Sequence, residues 1–166
     1  MIRVQVVGVA LDPAQQHVIL LKPLDIEADG ERVLPVWIGP QEAMSILVAI
    51  EGTGSPRPLA HDLMTAILGE LSASVDRVEV THLEEGTFFA RVVLVTPGGP
   101  RTFDARPSDA IALAARADAP IWVAEAVFDE AGVPDEAVEL EPSAEEERVE
   151  EFRRFLDDVD PEDFQG

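Results

Sequence analysis

Glycine and proline breakers divide the chain of 166 residues into short segments whose hydrophobic period switches between two and about 3.6. Alternating or continuous apolar segments predict strands at 2–11, 17–21, 32–38, 75–83, 87–96, 101–105 and 120–124. Helical spacing predicts helices at 41–51, 58–71 and 108–117. This order of elements predicts an α+β fold, in which about three helices pack against a mostly antiparallel sheet.

The composition changes beyond residue 135 and becomes strongly acidic. Ser143 and Glu146 form a capping-box pattern, and the apolar residues that follow recur at helical spacing. We therefore predict one domain at 1–135 and an acidic extension with an amphipathic helix at 136–166. That helix has three conceivable uses: docking on the domain, joining a partner or mimicking nucleic acid. Docking is favoured because an apolar stripe is buried most readily against the nearest core.

Composition excludes several classes of function. The chain has no cysteine, which excludes disulfides, thiolate metal sites and a cysteine nucleophile. No apolar run approaches the roughly 20 residues of a membrane span, and the N-terminus resembles a strand more than a signal peptide, so we expect a cytoplasmic protein without membrane contacts. The net charge of −21 disfavours RNA or DNA as a partner, since nucleic-acid binders usually present a basic face.

Two Arg-Pro dipeptides stand at predicted helix entrances, Arg57-Pro58 and Arg106-Pro107. Proline suits a first helical turn and holds the preceding arginine extended beside the helix N-terminus. Such an end favours an anion, and arginine can grip a phosphate with two parallel hydrogen bonds. We expect Arg57, Arg106 and Ser108 to bind an anionic substrate.

A structural interpretation competes with this one at the second entrance. Ser108 is a preferred helix N-cap, and Asp109 in the first turn stabilises the helix dipole. Arg106 would then pair with Asp104 or Asp109. Helix entrances of this composition are common, so the structural interpretation is favoured for Ser108 and Asp109.

The His61-Asp62 pair has no such explanation in the sequence. If the helix begins at Pro58, Asp62 lies beyond the positions where capping would account for it, and His61 has no evident structural role. A free imidazole titrates near neutrality and can act as acid or base. The catalytic candidates are therefore His61, Asp62, Asp104 and Arg106.

Carboxylates at these entrances also suggest a metal. Three carboxylates around one point would suit Mg²⁺ or Mn²⁺. The ligand candidates are Glu42, Asp62, Asp104 and Asp109. Whether they converge cannot be decided from spacing alone.

Several segments together resemble the bifunctional nuclease domain family. They are 34–39 (LPVWIG) with Glu42, 57–62 (RPLAHD), 86–90 (GTFFA), 104–110 (DARPSDA), 112–114 (ALA) with Arg116, and 120–121 (PI) with Val123, at family-like spacing within residues 1 to 130. The resemblance implies an α+β domain that self-associates, and a nuclease activity on RNA and DNA attributed to certain members. It brings no established set of catalytic residues. Ala60 departs from the pattern, because a threonine is common there.

Two functions remain open. The first is a phosphodiesterase that depends on Mg²⁺ or Mn²⁺, with His61 transferring a proton and the two arginines neutralising the phosphate. The second is a non-catalytic homo-oligomeric module that binds a small anion or an acidic protein segment. Glycine-rich phosphate loops, dinucleotide fingerprints and nucleophile elbows are all absent from the sequence.

Overall fold

The computed structural model describes residues 1–24, 32–52 and 57–135. Eight strands lie in this part of the chain: β1 Ile2–Leu11, β2 His17–Pro23, β3 Arg32–Ile38, β4 Ser74–Glu84, β5 Thr87–Val95, β6 Arg101–Ala105, β7 Ile121–Val123 and β8 Val133–Pro134. Four helices lie in the same ranges: α1 Pro40–Glu51, α2 Ala60–Glu70, α3 Pro107–Ala117 and α4 Glu125–Ala131.

The strands form one eight-stranded sheet in the order β6-β5-β4-β7-β1-β2-β3-β8. All neighbours in it run antiparallel except β4 and β7, which are parallel. The parallel pair arises because α3 carries the chain from the β6 edge back across the sheet to β7. The predicted α+β fold with a mostly antiparallel sheet is confirmed.

A single hydrophobic core joins the sheet to three of the helices. Alternate strand residues such as Val78 and Val80 contribute to it, together with Ile46 of α1, Ile111 of α3 and Phe128 of α4. Period-two alternation sends those strand residues to one face, where the apolar sides of the helices cover them. Helix α3 lies at the centre of this layer, because it packs against α1, α2, β4 and β5.

Helix α2 is attached differently. Its only buried residue is His61. Apolar side chains at helical spacing on it face solvent, since Leu63 is 56% exposed and the C-cap residue Leu71 is 65% exposed. What anchors α2 is therefore its polar first turn more than an apolar face.

The structure also shifts some predicted boundaries. Helix α2 begins at Ala60 with Leu59 as the N-cap, and Pro58 lies before it. Helix α3 begins at Pro107 with Arg106 as the N-cap, so the expectation that Ser108 caps it is wrong. Helix α4 and β8 escape a periodicity search because seven and two residues are too short to show a period. The predicted acidic helix after residue 142 lies outside the described residues.

None of the helices in the described ranges combines the length and the apolar character needed to span a membrane.

Candidate functional site

An open cleft of about 560 Å³ lies where the first turn of α2 meets α1 and the N-terminus of α3. Its lining includes Glu42 and Ser45 from α1, His61 from α2, and Arg106 and Asp109 from the start of α3. The first turns of α2 and α3 therefore meet at this cleft, although Arg57 and Pro58 do not line it. The meeting point of the two turns is the side chain of His61.

His61 is held at both ring nitrogens. Its Nδ1 lies 3.0 Å from the hydroxyl of Ser45, and its Nε2 lies 3.2 Å from Oδ1 of Asp109. His61 and Ser45 are only 7% and 8% exposed. These two contacts fix the plane of the buried imidazole ring, with Nδ1 facing Ser45 and Nε2 facing Asp109.

Asp109 connects His61 to Arg106. Arg106 donates to Asp109 through Nε at 2.7 Å and through Nη2 at 3.1 Å, a bidentate pair. Burial would raise the pKa of the Asp109 carboxyl, but the hydrogen bonds and charges of Arg106 and His61 outweigh burial and lower it. Asp109 is therefore ionised at neutral pH and accepts hydrogen bonds only.

Glu42 completes this network from α1. Its Oε1 lies 3.0 Å from Nη1 of Arg106. The carboxylate folds back over Gly39, and a Cβ at that position would collide with it. Gly39 directly follows β3, and its missing side chain leaves space for the Glu42 carboxylate that contacts Arg106. The pair formed by Arg106 and Asp109 raises the pKa of the guanidinium, with Glu42 adding to the effect.

A second open cleft of about 420 Å³ adjoins the first, and Glu42 and Arg106 line both. Ser108 lines this second cleft together with Phe88 at the start of β5. Ser108 is 7% exposed and makes no capping hydrogen bond. Helix α3 does not use the Ser108 hydroxyl as a cap, so this side chain is placed for contact with a molecule in the second cleft.

Asp62 does not point into the network around His61. Its Oδ2 accepts the backbone N–H of Leu59 at 2.7 Å, and its Oδ1 accepts Nε of Arg116. The expectation that capping cannot explain Asp62 is therefore wrong, because α2 begins two residues later than Pro58 and Asp62 occupies its third position. The hydrogen bond from Arg116, with that from Leu59, lowers the pKa of Asp62.

Arg57 and Asp104 lie apart from His61. Arg57 is exposed just before α2 and lines neither of the two clefts. Asp104 is exposed on β6, where the strand register places it opposite Arg91 of β5. Of the predicted catalytic residues, the structure brings together His61 and Arg106.

The predicted metal ligands are likewise divided. Asp62 faces Arg116, Glu42 faces Arg106, and Asp109 faces both Arg106 and His61. Across the described ranges, no three His, Asp or Glu side chains form a group that could hold a metal ion. In this arrangement the carboxylates do not fit a shared Mg²⁺ or Mn²⁺.

Two residues that hold the first turn of α2 in place, Ser45 and Arg116, are not among the site residues predicted from the sequence. Ser45 stands three residues after Glu42 on α1, so helical spacing alone places the two on neighbouring positions. Arg116 has a side chain only 6% exposed, which the sequence does not signal because arginine is usually exposed. Nη2 of Arg116 is buried without a hydrogen-bond partner.

These features define a class: an α+β domain whose cleft holds a buried histidine between a hydroxyl and an arginine-bound carboxylate. The family model of the bifunctional nuclease domain matches residues 23–136. The chain belongs to the bifunctional nuclease domain family.

Relatives of two kinds are similar to the chain. An uncharacterized protein of Mycobacterium tuberculosis strain H37Rv is 42% identical over 167 residues, which cover 98% of each chain. Bifunctional nuclease 1 of Oryza sativa subsp. indica is 27% identical over 115 residues, which are 68% of this chain and 34% of the rice protein. Bifunctional nuclease 2 of Oryza sativa subsp. japonica is 28% identical over the same shares.

Proposed function

We propose that this protein hydrolyses phosphodiester bonds in RNA or DNA at the cleft around His61. Family membership and the names of the rice relatives support a nuclease. The observation that carries the proposal is the buried His61, held between Ser45 and Asp109 beside Arg106. A histidine fixed in this way can move a proton at a bound phosphate.

Arg106 is the group that would neutralise the phosphate. A guanidinium has five N–H donors, and Asp109 and Glu42 occupy three of them. The remaining donors are accessible, because the Arg106 side chain is 66% exposed. Fixed donors aimed at developing negative charge are the largest single source of stabilisation in many such reactions.

Electrostatics restricts the substrate. Arg106 is balanced by two carboxylates, and the whole chain carries −21. A long nucleic acid would be repelled by most of this surface. We therefore expect short single-stranded segments or chain ends to be cleaved in preference to long duplexes. Dependence on Mg²⁺ or Mn²⁺ stays a prediction.

The decisive experiment compares wild type with His61→Asn on single-stranded RNA and double-stranded DNA, with and without Mg²⁺ or Mn²⁺. We expect His61→Asn to lose about 100-fold or more of the cleavage rate, since a positioned acid or base contributes 10² to 10⁴. His82→Asn is the matched control, because His82 is exposed on β4 and stacks on Phe89. Equal cleavage by all three proteins would assign the activity to a contaminant.

A second candidate is a non-catalytic homo-oligomeric binding module, and one observation favours it. Three large apolar residues of α2 and its C-cap residue are between 47% and 65% exposed: Leu63, Met64, Ile67 and Leu71. An apolar face of this kind is typical of an interaction surface. We propose a second copy of the chain as its occupant, in agreement with the self-association that the family resemblance implies.

A further inference from the structure

The Ser45 hydroxyl donates a hydrogen bond to the one ring nitrogen of neutral His61 that can accept. Asp109 is ionised and only accepts, so Nε2 of His61 carries the proton that faces it at 3.2 Å. A neutral imidazole has one N–H, and Nδ1 must therefore accept. The group that donates to Nδ1 is the Ser45 hydroxyl, at 3.0 Å.

This arrangement restricts how His61 can act as a base. Its ring is buried, and the lone pair on Nδ1 points at Ser45 and away from free solvent. A base in this position removes the proton of the Ser45 hydroxyl before that of any other molecule. The order hydroxyl, imidazole, carboxylate is that of an activated serine, with the two ring nitrogens exchanged relative to the usual triad.

We propose that Ser45 is the nucleophile of the cleft and forms a covalent phosphoserine intermediate with the substrate. This inference rests on the proposed function and names the group that attacks phosphorus. Ser45 and His61 line the same cleft as Arg106, so a phosphate bound by Arg106 lies beside the hydroxyl.

The reaction has two balanced steps. Ser45 Oγ forms a bond to phosphorus, the bond from phosphorus to the leaving oxygen breaks, and the Oγ proton passes through His61 to that oxygen. Water then attacks the phosphoserine and breaks the bond between Oγ and phosphorus. Its proton passes through His61 back to Ser45, and the products are an alcohol and a phosphate monoester.

A purely structural role makes a different prediction. If Ser45 only holds the ring of His61, no covalent bond to Ser45 forms, although Ser45→Ala can still slow cleavage. Covalent labelling therefore separates the two roles. Diisopropyl fluorophosphate is a suitable probe, since an activated serine displaces its fluoride and keeps the phosphoryl group.

The full-length protein is treated with this probe and analysed by intact mass and peptide mapping. We expect one adduct on Ser45, a rate lowered at least 100-fold in His61→Asn, and no adduct in Ser45→Ala. Ser74→Ala is the matched control, because Ser74 is exposed on β4. Absence of an adduct on Ser45, or labelling at the same rate in His61→Asn, overturns the assignment.

Cleavage assays on the same variants separate this inference from the proposed function. Wild-type rates in Ser45→Ala, together with loss in His61→Asn, would refute the nucleophile and leave the nuclease intact. Labelling of Ser45 that depends on His61, in a protein that cleaves neither RNA nor DNA, would support the nucleophile and refute the phosphodiester substrate.

Discussion

Asp62 and Arg116 show how a single ion pair can position a neighbouring residue. Arg116 is nearly buried on α3, and its Nη1 also donates to the carbonyl of Ala112 at 3.1 Å. Asp62 joins this guanidinium to the backbone N–H of Leu59, the N-cap of α2. Because His61 is the adjacent residue, the pair sets where the first turn of α2 stands relative to Ser45 and Asp109.

We predict that Asp62→Asn lowers the free energy of unfolding by about 1 to 3 kcal/mol, the usual cost of leaving a buried donor poorly satisfied. Arg116 already has one unpartnered nitrogen, and the substitution removes its charged acceptor. Urea unfolding followed by circular dichroism measures the change. Asp104→Asn is the control, because that carboxylate is exposed on β6. Equal stability of the two variants would show that the ion pair contributes nothing.

At the level of elements, β4 and β5 are joined by charge as well as by their backbone ladder. Glu79 is 5% exposed and accepts from Arg77 at 2.6 Å and from Arg91 of β5. Burial alone would raise the pKa of Glu79, but the hydrogen bonds of the two arginines outweigh it and lower the pKa. The carboxylate therefore stabilises the strand pair only in its ionised form.

This pairing predicts a pH dependence of stability with a definite sign. The unfolded chain binds a proton at Glu79 near its ordinary pKa of about 4.3, whereas the folded chain does so only at lower pH. The stabilisation by ionised Glu79 is complete above the pKa of the unfolded chain and is lost as the pH falls through the pKa of the folded chain. Between pH 6 and pH 2, the free energy of unfolding should fall less steeply in Glu79→Gln than in wild type. Identical slopes would contradict the prediction.

The sequence predicted elements better than it predicted their contacts. Gly39-Pro40 and Pro107 mark the starts of α1 and α3 because glycine and proline act on the local backbone. The contacts of His61 with Ser45 and Asp109 span 16 and 48 residues, and no local pattern encodes them. The periodicity of α2 likewise predicts an apolar face but not its surroundings. An apolar face has the same spacing whether it packs on the core or is exposed.

On the scale of the whole molecule, the net charge and the exposed apolar surface have opposite effects on self-association. The chain carries −21, which favours separate, soluble copies through mutual repulsion. The apolar face of α2 favours association, since exposed apolar area is stabilised by burial at about 25 cal/mol per Å². Salt weakens only the repulsion, so association should strengthen as the ionic strength rises.

We predict that the wild-type protein is a homo-oligomer and that the double variant Leu63→Ser, Ile67→Ser has a smaller mass at the same concentration. Both side chains are about half exposed, so serine costs the fold little while it removes apolar contact area between copies. Sedimentation velocity at low and at moderate salt measures the mass. Val95→Ser is the matched control, because Val95 is 50% exposed on β5. A double variant with wild-type mass would place the contact between copies elsewhere, and a monomeric wild type at every salt concentration would leave the α2 face without this role.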